Sequence, residues 1–216
     1  MIQLYSDSRC PFSHRVRIIL NEKDMDFKII DVNVNSRQDL MQLNPYNETP
    51  VLVDDIDKNN KKRDLILIDT NIASEYIDER FPHPQMMPIE PAEKARMRMT
   101  IHKLDKELFQ PVRFLDTNLQ SKDAKVKKEL DRLRKVISNA LDEIAALFAN
   151  NKKMDYVAST TFTLLDASLL PVLWRLGFYE IEVKKTWAAL MKYAETQFNR
   201  PSFLASLTAA ERSMKQ

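Results

Sequence analysis

Glycine is almost absent from the chain, with Gly177 alone among 216 residues, and this excludes every phosphate-cradling loop built on several glycines. Cysteine is as scarce, because Cys10 stands by itself and no intramolecular disulfide can form. The three histidines, His14, His83 and His102, are far apart and give no metal-ligand spacing with Cys10. No apolar run approaches the ~20 residues that a membrane span requires. An excess of charge is missing too: 33 Lys and Arg face 31 Asp and Glu, a formal +2. That balance gives no general attraction to nucleic acid or a membrane surface, and no direct sequence-specific nucleic-acid binding is expected. The chain runs from Met1 straight into a strand-like IQLYS without a charged and apolar leader, so a reducing, cytoplasmic setting is expected.

What is present is an ordinary globular composition, 44% apolar and 30% charged, long enough for one large domain or two modest ones with real cores. The first 80 residues alternate short strand-like runs with short helices. Residues 2–5 read as a strand, 13–23 as a helix with Val16, Ile19 and Leu20 on one face, and 27–34 as a second strand. Ser36 and Asp39 have the spacing of a capping box opening a short helix through Leu40 and Leu43. Residues 49–53 and 65–68 give two more strands, joined by the polar hairpin loop DDIDKNNKKRD. Residues 69–80 close the unit as a helix with Ile72, Tyr76, Ala73 and Ile77 at helical spacing. A βαβαββα order predicts a small mixed sheet with helices packed against it.

Pro82, Pro84, Pro88 and Pro91 then crowd a stretch that neither a helix nor a central strand tolerates, marking a linker over 82–91. Beyond it the period is helical throughout. Pro91 suits a first turn and is followed by Met97, Ile101, Leu104 and Leu108. A long helix carries Val126, Leu130, Leu133, Ile137, Leu141 and Ile144, and its mixed charges read as a solvated face. Thr163 and Asp166 form a second capping box ahead of ASLLPVLWRL, where Pro171 predicts a kink. Residues 184–198 make a last long helix with Trp187, Leu190, Met191, Ala194 and Phe198 inward, and 201–207 a short helical tail.

This order, with a Pro-rich linker and a Thr-x-x-Asp box, resembles the glutathione transferase superfamily over essentially the whole chain. EYIDERFPHPQMMPIEP, RPSFLASLTAAER, LDASLLPVLWRL and FSHRVRIIL are similar to the stringent starvation protein A family within it. The resemblance implies an α/β plus all-α fold, with a thioredoxin-like domain over 1–81 and an all-helical domain over 92–216. It also implies a dimeric, non-catalytic transcription regulator of the stress and starvation response, without a cofactor. The implied partners are RNA polymerase holoenzyme with its sigma factor, and a second subunit giving a homodimer or a heterodimer with a paralogue.

The candidate sites fall into two groups. Cys10, Pro11, Phe12 and Ser13 lie at the junction of the first strand and helix, where unpaired amides and the helix dipole favour a thiolate. Omega-type and dehydroascorbate-reducing transferases carry a cysteine here, whereas typical starvation-family members lack one. The alternative function is therefore a glutathione-dependent thiol transferase or dehydroascorbate reductase, with Cys10 as nucleophile and exogenous glutathione as the resolving thiol. The plain alternative is an unexploited cysteine. Ser13 is the second candidate hydroxyl, its plain role a helix cap.

By resemblance, Thr49-Pro50 matches the superfamily's cis-proline ahead of the third strand, with the Thr49 backbone open to an extended peptide such as glutathione. Asp69-Thr70 stands where glutathione binders hold the γ-glutamyl end, and an ordinary helix cap is the plain alternative. Pro82, His83 and Pro84 fix an extended, preorganised surface that the resemblance assigns to partner docking; a stiff linker is the plain alternative. His14 and His102 read as surface or interface residues. Met86, Met87, Met97 and Met99 fit either a subunit interface or core filling.

Overall fold

The structure, a computed structural model, describes residues 1–33, 37–56, 64–150, 155–157 and 159–215. Ser36 of the first expected capping box and most of the hairpin loop lie outside these residues. Four strands, β1 (Ile2–Ser6), β2 (Phe27–Asp31), β3 (Val51–Asp54) and β4 (Leu65–Leu67), form one sheet in the order β2-β1-β3-β4. β1 pairs parallel with β2, the crossover being helix α1 (Pro11–Glu22). β3 is antiparallel to both β1 and β4. Every residue of β3 is buried, as a central strand covered on both faces requires, whereas β2 at the edge is mostly exposed.

Helices α2 (Arg37–Leu43) and α3 (Thr70–Arg80) complete the sheet-bearing part. In α3, Ala73 and Ile77 pack inward and Tyr76 is partly buried against the core, whereas Ile72 is exposed. From Pro91 onward the regular elements among the described residues are mainly α-helices: α4 (Pro91–Leu104), α5 (Gln110–Asn118), α6 (Ala124–Asn150), α7 (Leu164–Trp174), α8 (Ala188–Phe198), α9 (Pro201–Ser206) and α10 (Ala209–Arg212). The helical period does not signal α5 as a separate element. Pro111 lacks an amide and crowds the carbonyl four residues back, and a π turn over Asp105–Phe109 precedes it, so α4 and α5 are successive pieces rather than one regular helix. The short helix α10 also goes beyond the expected tail; Thr208 and Glu211 cap it reciprocally.

One large apolar cluster joins the sheet to the helical part, from Ile2 and Leu4 of β1 through Ile18 and Leu20 of α1 to Leu170 of α7 and Phe203 of α9, and a second, smaller one holds Val32, Leu40, Val51 and Val53 on the α2 side of the sheet. Helix α1 is the hub of this packing, because it touches α3, α7 and α9, and its Arg17 bonds to Ser6 at the end of β1. All four residues of the expected 97–108 stripe are buried, and so are Leu130, Leu133, Ile137 and Leu141 of α6. Met86, Met87 and Met97 are buried within the same core, while Met99 is exposed. Among the described residues, no helix is long and apolar enough to cross a membrane.

Candidate functional site

The chain turns from β1 into α1 through Asp7, Ser8 and Arg9, and Cys10 becomes the residue before the first turn of α1, with Pro11 as its first helical residue. No side chain caps this helix start. Ser13 does not act as the expected cap: it sits in the first turn, fully buried, and its hydroxyl has no hydrogen-bond partner. Cys10 is half-buried and its Sγ lies 3.6 Å from the carbonyl oxygen of Thr49. The Thr49–Pro50 peptide is cis, as the resemblance implies. Phe12 packs on Phe109 of the π turn at 4.9 Å between ring centroids, and Arg113 of α5 reaches over the Phe12 ring while pairing with Glu48.

Asp69 is the cap of α3, its Oδ1 accepting from the amides of Asn71 and Ile72 at 2.8 and 2.9 Å; the plain role is therefore realised. Thr70 beside it is buried. The adjoining polar centre, which sequence reasoning missed, is Arg15. This buried side chain donates to Asn71 Oδ1 at 2.7 Å and to Asp105 Oδ1 at 2.5 Å, and its guanidinium lies 3.8 Å from the Phe109 ring centroid. Asn71 also donates to Asp105 Oδ2 at 2.6 Å, so α1, α3 and the π turn are tied at one point. Cys10 and Phe12 at the start of α1 thus lie beside the Thr49–Pro50 turn, and Arg15 one turn on ties α1 to the start of α3, where Asp69 and Thr70 stand.

The second candidate group is Pro82, His83 and Pro84, all exposed, with a second cis peptide at His83–Pro84 that nothing in the sequence signals. The chain beyond Pro84 is held firmly. The buried Asp78 carboxylate accepts from the Met86 and Met87 amides at 2.8 and 3.0 Å and from Lys23 Nζ at 2.5 Å. Lys23 Nζ also donates to the Pro84 carbonyl at 2.5 Å. The linker then borders a cavity of about 630 Å³, lined in part by Pro84, Met86, Ile89, Phe162 and Arg200. Arg200 stacks 4.6 Å from the Phe162 centroid and is neutralised by Glu22.

A third centre lies where α1 packs against α7 and α9, and it corrects the reading of His14, which is fully buried and not a surface residue. Its Nδ1 is 2.9 Å from Arg175 Nη1 and its Nε2 3.0 Å from Ser206 Oγ. Burial pushes its pKa well below the usual histidine value, and the neighbouring charges of Arg175 and Arg17 push the same way. Glu211, also fully buried, accepts from Arg17 Nη2 at 2.6 Å on each oxygen and from Arg175 Nη2 on one. Arg17 looks like a solvated charge in the sequence because its carboxylate lies 194 positions away. A recognisable signal was RPSFLASLTAAER, whose Thr208 and Glu211 have capping-box spacing.

Two family models match the chain: the N-terminal domain of glutathione S-transferase over residues 4–85 and its C-terminal domain over 127–196. A stringent starvation protein A homolog of Haemophilus ducreyi is 35% identical over 211 residues, 96% of this chain and 90% of that protein. Glutathione S-transferase omega-1 of Sus scrofa is 28% identical, covering 89% of this chain and 77% of its own length. A crystal structure of a glutathione transferase homolog from Lodderomyces elongisporus, with two GSH per subunit, superposes with a TM-score of 0.82 at 19% identity, over 95% of this chain and 96% of that one.

Proposed function

Because the chain belongs to the stringent starvation protein A family, within the glutathione S-transferase superfamily, we propose that it is a non-catalytic transcription regulator that docks on RNA polymerase holoenzyme. Pro82, His83 and Pro84 form the docking surface. The observation that carries this reading is a contrast within one short segment: four exposed residues, Pro82 to Gln85, are followed by Met86 and Met87, whose amides are pinned by a buried carboxylate. Such a segment loses little conformational entropy when a partner covers it. His83 acts as a hydrogen-bonding contact.

The regulator works as a dimer, identical or with a paralogue. Exposed apolar side chains support this: Ile66, Ile68, Ile72 and Met99 all face solvent, and a cavity opens beside Ile72 between α3 and Arg98 of α4. Affinity capture of polymerase subunits by the tagged protein tests the reading. Wild type brings them down, and His83→Ala or Pro84→Ala weakens capture; retention at wild-type strength by both removes the docking site.

The contact between Cys10 and Thr49 favours a second reading, a glutathione-dependent thiol transferase. The Cys10 thiolate attacks the glutathione-side sulfur of a mixed disulfide, releasing the substrate thiol and leaving a Cys10–glutathione disulfide. A second glutathione then regenerates Cys10 and leaves as oxidised glutathione. Absence of both glutathione binding heat and thiol transfer, with wild type and Cys10→Ser alike, ends this reading.

A further inference from the structure

Three successive backbone carbonyls lead to Cys10, and each accepts a side-chain hydrogen bond from a different element. Arg17 Nη1 of α1 donates to Asp7 O at 3.4 Å and to Ser6 Oγ at 2.5 Å. Thr208 Oγ1, at the start of α10, donates to Ser8 O at 2.7 Å. Arg175 Nη2, just past α7, donates to Arg9 O at 3.3 Å. All three donor residues converge on one carboxylate. Glu211 accepts from Arg17 and Arg175, and its Oε2 accepts from the Thr208 amide at 3.0 Å, while its own amide donates to Thr208 Oγ1 at 3.1 Å.

The donor assignment leaves no slack. The Thr208 hydroxyl has one proton, and the 2.7 Å contact to Ser8 O takes it in preference to the 3.2 Å contact to Glu211 Oε2. A guanidinium only donates, so Arg17 and Arg175 each need the carboxylate on one side in order to present a nitrogen to the loop on the other. Arg17, Arg175 and Glu211 are all buried, and a buried carboxylate shared by two guanidiniums has few alternative arrangements. The C-terminal segment is further seated by Trp174 Nε1, which donates to Glu211 O at 2.8 Å, and by Arg17 Nε, which donates to Ser206 O at 2.8 Å.

From this convergence we infer that the C-terminal segment over 200–212 is a latch that sets the conformation of the 6–10 loop and so controls access to Cys10, with Glu211 and Thr208 as its positioning residues. The latch acts whether or not Cys10 performs chemistry. Anything that lifts α10, such as cleavage after Leu207, loosens the loop that leads to Cys10.

Cys10 is the only cysteine, so its alkylation rate in the intact full-length protein reports the loop without ambiguity. The probe is iodoacetamide under native conditions, with amide exchange read over residues 6–10. Thr208→Val, at a half-buried position, removes the donor to Ser8 and keeps the shape; it raises Cys10 labelling about ten-fold through local opening, with exchange faster in that loop. Thr208→Ser restores the donor and the wild-type rate. Glu211→Gln raises labelling further, and Lys215→Ala leaves it unchanged. The latch is overturned if Thr208→Val and Thr208→Ser label alike at the wild-type rate, or if Glu211→Gln raises exchange uniformly along the chain without singling out the loop.

Discussion

Arg175 fixes the tautomer of His14. The guanidinium can only donate, so the 2.9 Å contact between Arg175 Nη1 and His14 Nδ1 requires an unprotonated Nδ1, while the other Nη1 proton goes to Pro171 O at 2.8 Å. The ring proton is then on Nε2, where it is donated to Ser206 Oγ, and the Ser206 hydroxyl passes its own proton to Phe203 O at 2.7 Å. A neutral histidine is thus the middle of a one-directional chain that starts just past α7 and runs through α1 to α9.

This arrangement makes stability pH-dependent. Protonating Nδ1 would aim a proton at Arg175 and add charge beside Arg17, with Glu211, 3.6 Å away and already shared by two arginines, as the facing carboxylate. The folded pKa of His14 lies below the unfolded value of about 6.5, so the unfolded chain takes up a proton that the native state refuses. Stability is therefore complete above about pH 6.5 and falls as pH drops toward the folded value, with a slope of up to about 1.4 kcal/mol per pH unit. His14→Gln keeps an acceptor for Arg175 and a donor for Ser206 without titrating. Urea unfolding at a series of pH values is expected to show that slope in wild type and a flatter line in His14→Gln.

Glu211→Ala leaves Arg17 and Arg175 buried without their shared carboxylate. Removing one partner of a buried ion pair costs about 3–5 kcal/mol, since the remaining charge keeps its desolvation penalty. The expected result is a lower urea midpoint at an unchanged slope. A loss below about 1 kcal/mol, the size of an exposed ion pair, contradicts the buried geometry.

Asp78 offers an internal comparison. Asp78→Ala removes the acceptor for the Met86 and Met87 amides and the partner of the buried Lys23. The expected cost is again about 3–5 kcal/mol, with amide exchange accelerated at Met86 and Met87. Glu75→Ala breaks a surface pair with Arg98 and should cost under about 1 kcal/mol. Equal losses in the two variants would mean that Asp78 does not pin the linker.

Much of the fold was legible because it rests on local signals. Alternation and turn residues mark the four strands, the proline cluster marks the linker, and Thr163 with Asp166 forms the box that the sequence spells, Asp166 Oδ2 accepting from the Thr163 amide at 2.8 Å. The break between α4 and α5 was hidden, because Leu104 and Leu108 keep the apolar period straight through the π turn. The polar centres were hidden for a different reason. Arg17 and Glu211 are 194 positions apart, and Lys23 and Asp78 are 55 apart; no periodicity links such pairs, and each side chain alone resembles an ordinary surface charge. Similarly, nothing local told that His14 would face Arg175 and Ser206 while His83 stayed in solvent.

Arg15 gives the sharpest test of the junction between α1, α3 and the π turn. Its two terminal nitrogens serve different partners, Asn71 on α3 and Asp105 in the π turn, and the flat face rests on Phe109. A lysine can offer one point charge but neither the fork nor the stacking face. Arg15→Lys therefore keeps the ion pair with Asp105 and loses the bond to Asn71 Oδ1 together with the aromatic contact. Two interactions of about 1 kcal/mol each predict a loss of about 2 kcal/mol, to be measured by urea unfolding. Asn71→Ala removes one of the same bonds, so the two substitutions share an interaction and the double variant should lose less than the sum of the singles. Strict additivity would show that Arg15 and Asn71 do not act as one joint between α1 and α3.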